Sequence, residues 1–215
     1  MFIPKVSMIE DLVQHIERLK NSNVRTRITN RILEFHAIPK HSPDILFEEL
    51  CYCILTANFS AKRGAQIHDQ LKACFHSEPK EILEHKLRTC GYRFPAIRSG
   101  FIEAAAAQKP ILTTIVSTLQ GEERRTWLVQ HIKGLGYKEA SHFLRNIGCD
   151  DYAIIDSHIM DLLARYDIIT PPKTLTKNRY LAIETTLRDI ATKTQLTLAE
   201  LDLYLWYMET GNILK

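Results

Sequence analysis

The chain has 215 residues, 45% of them apolar and 25% charged, the balance of an ordinary globular protein of one domain or two small ones. Its 28 Lys and Arg against 25 Asp and Glu leave a net charge of +3, which tolerates a polyanionic partner without demanding one. No apolar run approaches the roughly 18–20 residues that cross a bilayer, and the first segment meets charge too early for a signal peptide, so membrane-spanning, secreted, fibrous and disordered classes are set aside. Cys51, Cys53, Cys74, Cys90 and Cys149 form an odd set with neither a CxxC pair nor zinc spacing, so free thiols in a reducing, cytoplasmic setting are expected.

Helical periodicity dominates. Ser7-Met8-Ile9-Glu10 predicts a capping box, followed by one apolar stripe through Ile9, Leu12, Val13, Ile16 and Leu19. Pro43 suits the first turn of a helix through Phe47, Leu50, Cys51, Ile54 and Leu55, with Cys51 and Cys53 in the core. The spacing predicts further helices over about 61–74, 95–107, 122–133, 137–147, 156–166 and 176–193. Thr197 and Glu200 form a second capping box, opening a helix that carries Leu198, Leu201, Leu205 and Met208. Turn signals stand at Cys90-Gly91, Gly134-Leu135-Gly136, Gly148 and Pro171-Pro172, the proline pair ending a helix and serving as the best linker candidate. No two-residue alternation is long enough for a sheet. The predicted fold class is all-α.

The stretch from Trp127 to Gly148 carries the chemistry. One amphipathic helix runs into Gly134-Leu135-Gly136 and a second begins at once, a tight reversal with φ > 0 available at both glycines. A turn without side chains, followed by a helix N-terminus, is a seat for phosphate, and Lys133 beside it adds charge. The same turn also reads as a packing corner between two helices. Lys138 lies in the first turn of the second helix, where a cation opposes the helix dipole. That position is poor for a decorative lysine and good for a nucleophile, because a positive helix end and partial burial favour the neutral amine. Asp156, after the apolar run Ala153-Ile154-Ile155, is a candidate N-cap held in place by helix amides, and alone it reads as a plain capping residue.

Taken together, Gly134-Leu-Gly-Tyr-Lys-Glu-Ala-Ser-His-Phe-Leu-Arg-Asn146 with Ala153-Ile-Ile-Asp156 resembles the helix-hairpin-helix DNA glycosylase superfamily. Within it the wording is similar to the 8-oxoguanine DNA glycosylase/AP lyase type 2 branch of archaea and some thermophilic bacteria. Supporting matches lie at Glu49-Leu-Cys-Tyr-Cys-Ile-Leu-Thr-Ala-Asn58, at Gly91-Tyr-Arg-Phe94, and at Leu205-Trp206-Tyr207 with Lys215. The resemblance implies two helical subdomains with the active site in the cleft between them. Residues 44–149 would form the helical barrel with the hairpin, and residues 1–43 with 150–215 the second lobe.

It further implies excision of 8-oxoguanine from double-stranded DNA by a monomer near the nucleoid, with no cofactor and no catalytic metal. Lys138 would attack C1′ and Asp156 would stabilise the positive charge developing on the sugar. Trp206 and Phe94 are the candidate walls of a pocket for the flipped base, each of them also readable as packing. Lys215 is the candidate for telling 8-oxoguanine from guanine, against the alternative of a frayed charged tail. Lys133, Gly134, Gly136, Tyr137, His142, Arg145 and His158 are the candidates for the DNA backbone, and the same side chains read otherwise as solvated surface. The chain departs from related glycosylases in having no cysteine beyond Cys149, which excludes their iron–sulfur cluster, and in carrying Ser157 where a larger basic residue is frequent. Two other readings stay open: a hairpin glycosylase for a different oxidised base, and a hairpin module that binds DNA without chemistry.

Overall fold

The computed structural model describes residues 5–215, with side chains from Ile9 onward. Among the described residues every regular element is helical and no strand occurs. The chain divides into two compact units, one made of the chain up to Ala37 with Gly148–Lys215, the other of Ile38–Ile147. The first unit begins with α1 (Lys5–Lys20) and α2 (Asn23–His36). Because α1 starts ahead of Ser7, the serine expected to cap it stands inside the helix, and its side chain lies outside the described residues. Helix α2 is absent from the predicted set. Ser22 caps it by accepting from the Val24 N–H at 3.2 Å, and Val24, Ile28, Ile32 and Phe35 bury one face.

The second unit contains α3 (Pro43–Thr56), α4 (Ala61–Leu71), α5 (Cys74–Ser77), α6 (Lys80–Thr89), α7 (Pro95–Ala106), α8 (Lys109–Thr118), α9 (Gly121–His131) and α10 (Tyr137–Asn146). Its centre is α3, against which α4, α5, α7, α8 and α10 pack. Leu46, Phe47, Leu50, Cys51, Cys53, Ile54 and Leu55 are all fully buried, as expected of a helix apolar on every side. At about 1.5–3 kcal/mol for each large apolar side chain fully buried, this helix is the main anchor of its unit. All five cysteines are free thiols, and burial pushes the Cys51 thiol up, so it is inert core.

The chain then returns to the first unit through α11 (Ser157–Arg165), α12 (Lys177–Thr194) and α13 (Leu198–Thr210); α12 and α13 close on α1 and α2, and α11 packs on α13. The capping box of α13 forms: Thr197 Oγ1 accepts from the Glu200 N–H at 3.1 Å, and Glu200 Oε2 accepts from the Thr197 N–H at 2.8 Å. The expectation for Pro171-Pro172 is corrected. Helix α11 stops at Arg165 because Asp167 turns left-handed (φ 50°), with the Ile168 N–H donating to Leu163 O at 2.9 Å. The proline pair lies in the loop from α11 to α12, inside one unit, while the chain passes between units at Ala37–Ile38 and Ile147–Gly148. Among the described residues no helix is long and apolar enough to cross a membrane.

Candidate active site

In the second unit the hairpin is α9, a five-residue connection and α10. Gly134 takes φ +91°, and a Cβ built there would fall 2.2 Å from Cδ2 of Phe101, so both the conformation and the close ring demand glycine. Gly136 differs from expectation: it is extended (φ −95°, ψ −172°) and serves as N-cap of α10. It has no side chain to accept from the first-turn amides. Instead its own N–H donates to Glu139 Oε2 at 3.2 Å, half of a capping box.

A buried cation and its partners clamp the two hairpin helices together. Arg125 on α9 is 2% exposed and donates to Glu122 Oε2 at 2.6 Å and to Ser141 Oγ of α10 at 3.2 Å. Tyr137, the first residue of α10, donates its hydroxyl proton to Glu122 Oε1 at 2.7 Å. The Tyr137 hydroxyl is therefore held by a carboxylate, and the Arg125 guanidinium lies 5.2 Å from the centre of its ring. Lys133 is exposed, its ammonium 6.0 Å from the centre of the Phe101 ring.

Lys138 follows at the second position of α10. Its side chain is 24% exposed, and its only partner among the described residues is Glu139, at 3.8 Å. It makes no hydrogen bond. The expectation that His142 and Arg145 face a DNA backbone is corrected, because both are buried. His142 stands edge-on to Tyr52 at 5.7 Å. Arg145 donates to Asn146 Oδ1 at 2.8 Å, and Asn146 Nδ2 donates to Glu49 Oε1 at 2.7 Å, so the three polar residues pin α10 to α3. Phe94, half-buried, is the N-cap residue of α7, with the Arg93 guanidinium 4.9 Å from its ring centre.

The first unit holds the remaining candidates. Asp156 caps α11 by accepting from the Ile159 N–H at 3.0 Å, and among the described residues its carboxylate has no further partner. The stretch leading to it is buried but belongs to no helix or sheet, so its amides need other acceptors. Three side chains supply them: Glu184 takes the Ala153 N–H at 3.2 Å, Asp202 the Ile154 N–H at 3.3 Å, and the Tyr180 hydroxyl the Ile155 N–H at 3.2 Å. Tyr180 also donates to Ala153 O at 2.6 Å. The sequence reading misses all three, although they fall at the helix positions that turn toward the Ala153-Ile154-Ile155 run.

Trp206 is half-buried in α13, and His158, expected to reach a phosphate, rests its ring on it at 4.9 Å and 83°. Thr210 Oγ1 donates to Trp206 O at 2.8 Å, and Gly211 (φ 69°) ends the helix ahead of half-exposed Lys215. Lys133, Gly134, Gly136, Tyr137, Lys138 and Phe94 thus belong to one unit, and Asp156, His158, Trp206 and Lys215 to the other. Among the described residues no group of three or more His, Cys, Asp or Glu side chains is placed to hold a metal ion.

The profile of the 8-oxoguanine DNA glycosylase family matches residues 28–196. This chain belongs to that family. A relative from Korarchaeum cryptofilum named 8-oxoguanine DNA glycosylase/AP lyase is 48% identical over 96% of this chain and 99% of its own length. The crystal structure of the Methanocaldococcus jannaschii 8-oxoguanine glycosylase/lyase, in complex with a 15mer DNA containing 8-oxoguanine, superposes with a TM-score of 0.91. That protein is 47% identical, with 95% of this chain and 99% of that one covered. The 8-oxoguanine DNA glycosylase of Thermotoga maritima gives a TM-score of 0.89 at 36% identity, covering 96% of this chain and 100% of its own. This glycosylase family's fold is therefore shared across both units of the chain.

Proposed function

We propose that this protein excises 8-oxoguanine from double-stranded DNA and then cuts the strand at the resulting site, working on the DNA of the nucleoid. The observation that carries the reading is the placement of Lys138: an amine with no hydrogen bond, 24% exposed, one residue inside the helix that follows the hairpin turn. A lysine there works against the helix dipole. A nucleophile benefits from the same place, since no hydrogen-bond acceptor among the described residues holds its nitrogen back from the target.

The Lys138 nitrogen attacks C1′ of the damaged nucleotide, the bond from C1′ to the base breaks, and the purine leaves with a proton. The attached nitrogen gives up a proton, its lone pair closes a C1′=N bond as the C1′–O4′ bond breaks, and O4′ takes up a proton, which leaves a Schiff base between Lys138 and the opened sugar. Removal of a C2′ proton then expels the 3′ phosphate by β-elimination. Asp156 stays where α11 holds it, and its unoccupied oxygen stabilises the positive charge that grows on the sugar. Trp206 and Phe94 stack on the flipped base, which costs a few kcal/mol to extract from the duplex. Lys215 reads the edge at which 8-oxoguanine differs from guanine, in N7–H and the C8 oxygen. Lys133 and the amides of Gly134, Gly136 and Tyr137 take the phosphates.

The test is borohydride trapping on duplexes carrying one 8-oxoguanine, no lesion, or one oxidised pyrimidine, with wild type and Lys138→Gln. A covalent adduct with the 8-oxoguanine duplex alone, absent from the variant, is expected. An adduct only with the pyrimidine lesion overturns the pocket assignment, and DNA binding without any adduct overturns the enzyme.

A further inference from the structure

His158 and Trp206 come from different helices and meet ring to ring, with centroids 4.9 Å apart and planes at 83°. The indole Nε1 is buried and, among the described residues, has no hydrogen-bond partner. Its N–H therefore does nothing to orient the ring, although a buried indole ordinarily finds an acceptor. Two side-chain contacts fix the helix that carries it: Thr210 Oγ1 donates to Trp206 O at 2.8 Å, and the Glu209 carboxylate pairs with the Arg165 guanidinium at the end of α11. Neither acts on the χ angles of the indole. The polar grip on Trp206 ends at its main chain, and among the described residues the aromatic partner of its ring is His158.

We infer that His158 is a positioning residue for base stacking: its imidazole holds the Trp206 indole in the rotamer that receives an extruded purine. The inference rests on the glycosylase reading above. An aromatic pair of this geometry is sufficient to bias a rotamer equilibrium by about 3- to 10-fold. His158 sits at the second position of α11, and Asp156 is the N-cap of the same helix. One helix start thus fixes both the carboxylate that meets the sugar and the ring that aims the base-stacking wall. This is a different task from gripping a phosphate, and the two make opposite demands on the side chain. A phosphate needs a donor, whereas an indole needs only a flat ring of the right size.

The experiment uses the full chain and two duplexes, one with 8-oxoguanine and one with a preformed abasic site, under single-turnover conditions. Elimination at an abasic site needs the amine and the carboxylate but has no base to stack. His158→Ala is expected to slow 8-oxoguanine excision about 3- to 10-fold and to leave abasic-site cleavage within about 2-fold. His158→Phe, which keeps a ring and loses every donor, is expected to restore excision.

A spectroscopic readout is independent of turnover. The chain has 2 tryptophans, so Trp127→Phe leaves Trp206 as the sole indole. Its near-ultraviolet circular dichroism band should collapse on adding His158→Ala and survive His158→Phe. Equal losses on both duplexes, or no rescue by Phe, would make His158 a phosphate ligand and overturn the inference. An unchanged indole band in the alanine variant would overturn it as well. If wild type releases no 8-oxoguanine, the glycosylase reading fails, and the indole band still decides whether His158 orders Trp206.

Discussion

Two helices packed on each other in the same unit, α3 and α10, begin in opposite ways. α3 has Ser42 as cap, Pro43 at the first position and Asp44 at the second, each suited to a helix start. α10 has Gly136 as cap, Tyr137 at the first position and Lys138 at the second. One start is optimised for holding the fold together; the other surrenders a side-chain cap and sets a cation at its second position, with Glu139 at the third offsetting part of the cost. The difference teaches where the molecule accepts local cost, and α11 completes the lesson. There the cap itself, Asp156, is the second candidate catalytic group, so structural and chemical demands coincide on one side chain.

The comparison is sharpened most by Asp156, where the two demands can be separated. Asp156→Asn keeps an excellent cap and removes the charge, so excision should fall by about 10²–10³-fold while the melting temperature barely moves. Asp156→Ala should lose as much activity and a further ~1 kcal/mol of stability. Single-turnover excision and thermal melting, run on both variants, check the split. Equal activity in Asn and wild type would reduce Asp156 to a cap.

The approach to α11 comes next in size. Tyr180→Phe strips the Ile155 N–H and Ala153 O of their buried partner, which should cost about 1–3 kcal/mol, read as a drop in denaturation midpoint. Activity should fall with it, because the backbone just ahead of Asp156 loses its anchor. A smaller effect of opposite sign belongs to α10: Lys138→Gln should gain about 0.3–1 kcal/mol by removing a cation from the positive helix end, even as adduct formation vanishes. A variant that melts at a lower temperature than wild type would contradict the account of that helix start.

The smallest effect concerns α3. Lys109, hydrogen-bonded to Asp44, holds its carboxyl below the ordinary value of 3.8. A depressed carboxyl contributes stability that is present above its unfolded value and lost as pH falls through its folded one. Asp44→Asn should therefore flatten the acid side of the melting profile below about pH 4, slightly, since the pair is exposed. An unaltered acid limb would show that the ion pair contributes nothing.

Legibility in the sequence followed the same division. Features set by neighbouring residues were readable: the Thr197–Glu200 box, the Asp156 cap and the apolar faces of α3, α11 and α13. α8 was missed because it opens on Lys109-Pro110 and runs through Thr and Val, residues that favour helices weakly. α6 was missed because only Leu83 and Leu87 are buried and no side chain caps its start. His142 and Arg145 looked like surface groups at helical spacing from Lys138. Their burial depends on Tyr52, Glu49 and Asn146, and the first two are far away in sequence. Glu184, Asp202 and Tyr180 escaped notice for the same reason: a polar residue on a helix does not reveal that a distant loop needs an acceptor.

The order of the units along the chain, with the second interrupting the sequence of the first, has a consequence for biosynthesis. A ribosome delivers α1 and α2 long before α12 and α13, the helices on which their apolar faces close. Ile38–Ile147 emerges whole in the interval, with the helices that pack around α3 all in hand. The unit bearing the amine can therefore mature on the nascent chain, whereas the one bearing Asp156 and Trp206 must wait for the last helix. During that wait the helix that carries Val24, Ile28, Ile32 and Phe35 has α1 beside it but lacks α13, which leaves the growing chain's first helices the part most open to wrong contacts.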